Sequence, residues 1–176
     1  MSYLILLPVF ATDMLDVGSE GLGNMYAIGG VGAFLMVVVA ASLSKSPRKG
    51  FFLISGAVVF GISLILFAYS TNYYWSLAML FVGGAASTFY MVMVQTTLQA
   101  LVPDNLRGRV FSIYSLTWSL LPLDALQAGL IADWVNPEFA IAMGGVIVAV
   151  FALVIALTSQ RIRTIGIITQ EAMESA

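Results

Sequence analysis

Between short charged breaks the chain runs almost free of charge for about twenty residues at a time, and it does so over 22–43, 51–70, 74–101, 110–132 and 139–159. A bilayer core of about 30 Å takes roughly 20 apolar residues at 1.5 Å each. Each run is therefore long enough to cross a membrane. Water is a poor alternative solvent: 60% of the 176 residues are hydrophobic and 9% are charged. A soluble domain carries about 25% charged residues, and one of this size has too small an interior to hide the excess. The expected fold is all-α, a polytopic membrane helix bundle with the lipid bilayer as its first partner.

The breaks have local causes. Residues 44–50 hold Lys45, Arg48 and Lys49 together with Pro47 and Gly50, which stop a helix and keep its end in water. Pro103 closes the third run. Asn136, Pro137 and Glu138 open the last one, as N-cap, first helical residue and an acid at the positive end of the dipole. Ahead of the five runs, residues 3–11 are apolar but short. Even twelve helical residues reach only about 18 Å, and Asp13, Asp16 and Glu20 follow in water. The chain is thus expected to begin partway through a span, giving five full transmembrane helices plus a truncated first one. Residues 1–160 form the bundle and 161–176 a tail.

The loops set an orientation. Lys45, Arg48 and Lys49 occupy one loop, Arg107 and Arg109 the loop two spans later, and Arg161 and Arg163 follow the last span. Alternating spans bring all three regions to one face. The opposite face receives Asp13, Asp16, Glu20, Asp133 and Glu138. The positive-inside rule names the cationic face, and with it the C-terminus, cytoplasmic.

Composition also removes chemistry. The chain has no cysteine and no histidine, so it lacks thiolate nucleophiles, sulfur ligands and the commonest general base and metal ligand. No basic patch suggests nucleic acid. Neither a metal, a cofactor nor an enzymatic reaction is expected.

Asp124 is the acidic residue well inside a predicted span, roughly 4 residues past the middle of 110–132, so about 5 Å from the bilayer centre. An ionisable group at that depth is costly unless it faces protein or water. Pro122 removes a backbone donor and exposes the Trp118 carbonyl, while Gln127 shares the face of Asp124. The functional reading is a protonatable or cation-binding carboxylate on a substrate path. The plainer one is a carboxyl satisfied by Gln127 or a neighbouring helix. Ser87, Met91, Gln95 and Gln99 recur at fours on the third run. Gln95, with Thr96, is a candidate for the wall of a cavity, against interhelical bonding and loop anchoring. Trp118 lies deep in its span as a candidate substrate contact or a packed indole. The glycine and alanine clusters at 29–33, 83–87, 125–129 and 144–145 read as close-packing surfaces.

Two loops and their flanks resemble the C-terminal half of a major facilitator superfamily transporter, most closely the bacterial branch of enterobactin-exporter-like and transmembrane secretion effector proteins. Leu7-Pro8-Val9-Phe10-Ala11 with Gly21-Leu22-Gly23 is similar to the end of that family's seventh helix and the start of its eighth. Pro103-Asp104-Asn105-Leu106-Arg107-Gly108-Arg109 is similar to its loop between helices ten and eleven, and 128–133 to its eleventh helix. Lys45 stands where the family usually has an aspartate, and Asp124 where it usually has glycine.

The resemblance implies a six-helix half of a secondary transporter in the bacterial inner membrane. It would export a small molecule by alternating access and be inactive without a missing N-terminal six-helix half. The other class in view is a small, non-transporting membrane scaffold or accessory subunit.

Overall fold

A computed structural model describes residues 3–43, 46 and 49–158. The loop cations Lys45 and Arg48, and the tail with Arg161 and Arg163, lie outside the described residues. Seven α-helices follow in order: α1 (Tyr3–Val9), α2 (Gly18–Leu43), α3 (Lys49–Ala68), α4 (Tyr73–Leu101), α5 (Asp104–Ser119), α6 (Leu121–Trp134) and α7 (Pro137–Thr158). Among the described residues there is no strand. Four helices, α2, α3, α4 and α7, are long and apolar enough to cross a membrane.

The fourth expected span is not one helix. It is α5 and α6, meeting at Leu120. Pro122 has no N–H to give the Trp118 carbonyl, and the Leu120 N–H turns to the Thr117 and Trp118 carbonyls instead. The same segment begins earlier than expected, so Arg107 and Arg109 stand in the first turns of α5 rather than in a loop. Asp104 supports that start: an acid in the first turn suits the helix dipole, and its carboxylate pairs with Arg107 at 2.7 Å.

α1 continues into one π-helical turn, Phe10–Met14. Pro8, inside α1, cannot donate to the Leu4 carbonyl one turn back. The Tyr26 hydroxyl of α2 donates to that carbonyl at 2.8 Å, so a hydrogen bond lost within one helix becomes a tie between two. Replacing Tyr26 with phenylalanine should cost about 1 kcal/mol, the net worth of one hydrogen bond, read as a lowered midpoint of thermal unfolding in detergent. The turn to α2 uses Asp16 at φ 48° and Gly18 at φ 61°, left-handed conformations that aspartate tolerates and glycine adopts freely.

Caps start the later helices. Asn136 Oδ1 accepts from the Phe139 N–H at 2.7 Å, fulfilling the N-cap expected of it. Asn72, not anticipated, caps α4 by accepting from Tyr74 N and Trp75 N at 3.0 and 3.3 Å.

Lipid offers apolar side chains no reason to leave it, so the helices are held by close packing. α2 runs beside α4 where a Cβ on Gly84 would strike the Gly29 carbonyl and one on Gly32 the Phe81 carbonyl. α3 meets α7 at a reciprocal pair: a Cβ on Gly61 would lie 2.6 Å from the Gly145 oxygen, and one on Gly145 2.7 Å from the Gly61 oxygen. Gly83 lies against Ser63 and Gly56 against Phe89, joining α3 to α4. Gly129 has open space around its Cβ position, so its cluster with Ala125 is not such a seam.

Apolar clusters close the bundle at both ends of these seams. One gathers Leu7, Phe10, Met25, Phe67, Leu80 and Ile141, with the Phe10 and Phe67 rings 4.8 Å apart. The other is Ala40, Phe89 and Met93, with Phe52 edge-on to Phe89 at 6.0 Å. The helix order then puts Lys49, Arg107 and Arg109 at the second end. Asp13, Asp16, Glu20, Asp133 and Glu138 lie at the first. No side chain of α5 is buried, and Phe34 and Val38 of α2 are 72% and 66% exposed, leaving broad apolar faces turned outward.

Candidate functional site

Pro122 starts α6 within its first two residues, and the turn it forces sets where the following side chains point. Asp124, whose N–H is bonded to the Leu120 carbonyl at 3.1 Å, and Gln127 one turn on both face a cavity of about 280 Å³. α1 contributes Tyr3 and Leu6 to its wall and α3 contributes Phe60 and Leu64. α7 adds Ala140, Ile141, Gly144, Ile147 and Val148. Tyr3 and Phe60 stand edge to face, 6.0 Å between ring centres. Gly144 leaves the space above it open, with nothing within 4 Å of a Cβ position, while its neighbour Gly145 is locked into the α3 seam.

The site is thus a carboxylate, an amide and a phenol-bearing ring set in an otherwise apolar wall. Asp124 is half-buried. A carboxylate there can bind a proton or a monovalent cation, and Gln127 can supply either a donor or an acceptor beside it. Among the described residues there is no cluster of side chains suited to holding a metal ion, and the apolar wall offers no grip for a phosphate-bearing cofactor.

Gln95 and Trp118 do not join this group. Gln95 is half-buried on α4, and neither it nor Trp118 borders the cavity. Thr96, considered with Gln95, folds its hydroxyl back to the Val92 carbonyl at 2.9 Å. Trp118 sits in the last turn of α5, 37% exposed. The segment around Pro103, Asp104, Arg107, Gly108 and Arg109 forms a separate structure at the cationic end. There Arg107 donates to the Gln99 carbonyl at 3.1 Å and pairs with Asp104, pinning the end of α4 to the start of α5. Gly108 has an open Cβ position and an ordinary helical backbone.

Phe60, Leu64 and Ile147 were not legible as cavity residues, because α3 and α7 are apolar on every side. Tyr3 carried a signal: it is the polar aromatic in an otherwise aliphatic stretch.

A helical bundle with membrane-length spans and a carboxylate lining a cavity between them defines a polytopic membrane protein. Residues 1–123 match the Major Facilitator Superfamily, and the chain belongs to that family, whose members are membrane transporters and not enzymes. The matched stretch ends at Leu123, one residue before Asp124. A Na(+), Li(+), K(+)/H(+) antiporter of Planococcus maritimus is 28% identical over 135 residues, which cover 66% of this chain and 31% of that protein. The chain therefore spans about a third of that relative's length. No solved structure matches it significantly.

Proposed function

We propose that this chain is one bundle of a secondary active exporter of small solutes, working by alternating access with proton exchange at Asp124. The observation that carries the reading is the joint placement of Asp124 and Gln127 in one cavity between α1, α3, α6 and α7. A carboxylate at membrane depth costs several kcal/mol unless protein or water surrounds it, and a cavity shared with Gln127 suits one that takes up and releases protons. Alternating access needs a second bundle to form the opposite wall. The outward apolar faces of α2 and α5 offer it a surface. The name of the Planococcus protein supports a second reading of the solute, a monovalent cation moved against protons.

The test uses everted vesicles holding an acid-inside gradient, from cells making the chain with and without a six-helix partner bundle. Addition of Na+, Li+ or K+, or of an organic solute, should collapse the gradient only when both bundles are present. Collapse by the chain alone would contradict the two-bundle arrangement, and no collapse by any solute tried would count against proton exchange.

The cationic end of the bundle, by the positive-inside rule, faces the cytoplasm of a bacterial inner membrane. A phosphatase fused after Ala176, active only when exported, should be silent, while a fluorescent protein at that position should be bright. The opposite pattern would invert the orientation.

A further inference from the structure

Two glycines stand side by side in the first half of α7, and packing accounts for one of them. A Cβ on Gly145 would meet the Gly61 carbonyl oxygen at 2.7 Å, so glycine is what lets α7 approach α3 there. A Cβ on Gly144 would meet nothing within 4 Å. Glycine inside a helix weakens it relative to alanine, and no close backbone contact offsets that at position 144. What lies over Gly144 is the cavity that Asp124 and Gln127 border. The side chain it lacks is cavity space, not a helix seam.

The lining decides what fits that space. Its oxygen-bearing side chains are those of Tyr3, Asp124 and Gln127, and the other eight lining residues are apolar or glycine. A bare alkali ion must replace its water shell with several protein oxygens, and it would fill only a small part of about 280 Å³. Small-molecule sites begin near 300 Å³ and combine an apolar wall with a few placed polar groups, which describes this cavity. Asp124 selects the sign of the solute's charge, because a carboxylate attracts a cation and repels an anion. Tyr3 and Phe60 add aromatic rings, whose faces attract a cation as well. A solute with one positive charge and an apolar body suits both parts of the wall.

We propose that Gly144 determines specificity at this site: the solute exchanged for a proton at Asp124 is an organic monocation, and its apolar body lies in the space that Gly144 leaves open. This rests on proton exchange at Asp124, and it adds the chemical class of the solute and the residue that limits its size. The cationic group sits against the Asp124 carboxylate, so the site holds the proton or the solute but not both.

The test uses two quaternary cations that differ by one aromatic ring, tetramethylammonium and benzyltrimethylammonium. Neither has a proton to exchange, so neither collapses an acid-inside gradient unaided. In everted vesicles holding this chain with its six-helix partner bundle, both should collapse the gradient, benzyltrimethylammonium at the lower concentration. Gly144→Leu should raise the half-saturating concentration of benzyltrimethylammonium at least about tenfold relative to that of tetramethylammonium, since a single methylene of misfit in an apolar pocket already discriminates to that degree. Gly144→Val should move the ratio the same way by less, and it carries the test if the leucine variant does not reach the membrane. An unchanged ratio would overturn the role of Gly144. Collapse by Na+ or K+ but by neither quaternary cation would overturn the organic solute and leave proton exchange at Asp124 standing. No collapse by any of these cations would remove proton exchange itself, and this proposal with it.

Discussion

Gly145→Leu should stop this chain from assembling a stable bundle, lowering its stability by about 3 kcal/mol or more, the top of the range for overpacking. The reason is the reciprocity of the α3–α7 contact. A Cβ on Gly145 would approach the Gly61 carbonyl oxygen to 2.7 Å, Ile65 Cγ1 to 3.0 Å and Leu64 Cβ to 3.1 Å. The nearest of these is backbone, which cannot swing away as a side chain can, so relief requires the helices to separate along their length. In lipid no hydrophobic force draws the separated helices back together, because acyl chains solvate apolar side chains as well as they solvate each other, so the pairing depends on this close approach. Gly144→Ala makes the matched control: one residue away, its Cβ meets nothing within 4 Å, and it should fold as the native chain does. Stability is read from the midpoint of unfolding in rising dodecyl sulfate. Equal midpoints for the two variants would mean that the seam does not hold the bundle.

The second large effect is on transport. In a complete transporter carrying this bundle, Asp124→Asn should leave the protein in the membrane but lower proton-coupled flux by at least about tenfold, equal to about 1.4 kcal/mol in the barrier. Asparagine keeps the size of the side chain and removes its capacity to take up and release a proton. The cavity wall therefore stays filled while the exchange step is lost. Asp124→Glu, which retains the carboxyl at a longer reach, should keep part of the flux and its dependence on pH. Full flux in the asparagine variant at every pH, with normal expression, would return Asp124 to a packing role.

Much of the architecture was legible because bilayer thickness leaves a span few choices. The runs at 22–43, 51–70, 74–101 and 139–159 lie in or largely overlap helices of membrane length. Asn136 announced its cap through the Asn-Pro-Glu order that follows. Pro122 was visible too, and so was its effect on the Trp118 carbonyl. That this would divide α5 from α6 was not, since a proline in a membrane helix can also be absorbed by a kink. The helical start at Asp104 was missed because two arginines and a glycine read as loop. The Asp104–Arg107 pair and the bond to Gln99 show why they can stand in a helix at its end.

The site divides along the same line. Asp124 and Gln127 were paired by helical spacing alone, and they face one cavity. Gln95 and Trp118 were chosen for polarity and depth, without knowledge of which way α4 and α5 turn. Phe60, Leu64 and Ile147 could not be chosen at all: a helix that is apolar all round carries no sign of which face meets protein and which meets lipid.

In the proposed transport path the space beside Asp124 and Gln127 is aqueous rather than a packing defect. The natural absence of cysteine makes this directly measurable. A thiol reacts with maleimide as its thiolate, which forms in water and not in hydrocarbon. Single variants Gln127→Cys, at an exposed position of the cavity lining, and Leu126→Cys, at a position 59% exposed and outside that lining, would be treated with a charged, water-soluble maleimide in intact membranes. Rapid labelling is expected at position 127 and little at 126. Labelling at neither position, or equally at both, would contradict it.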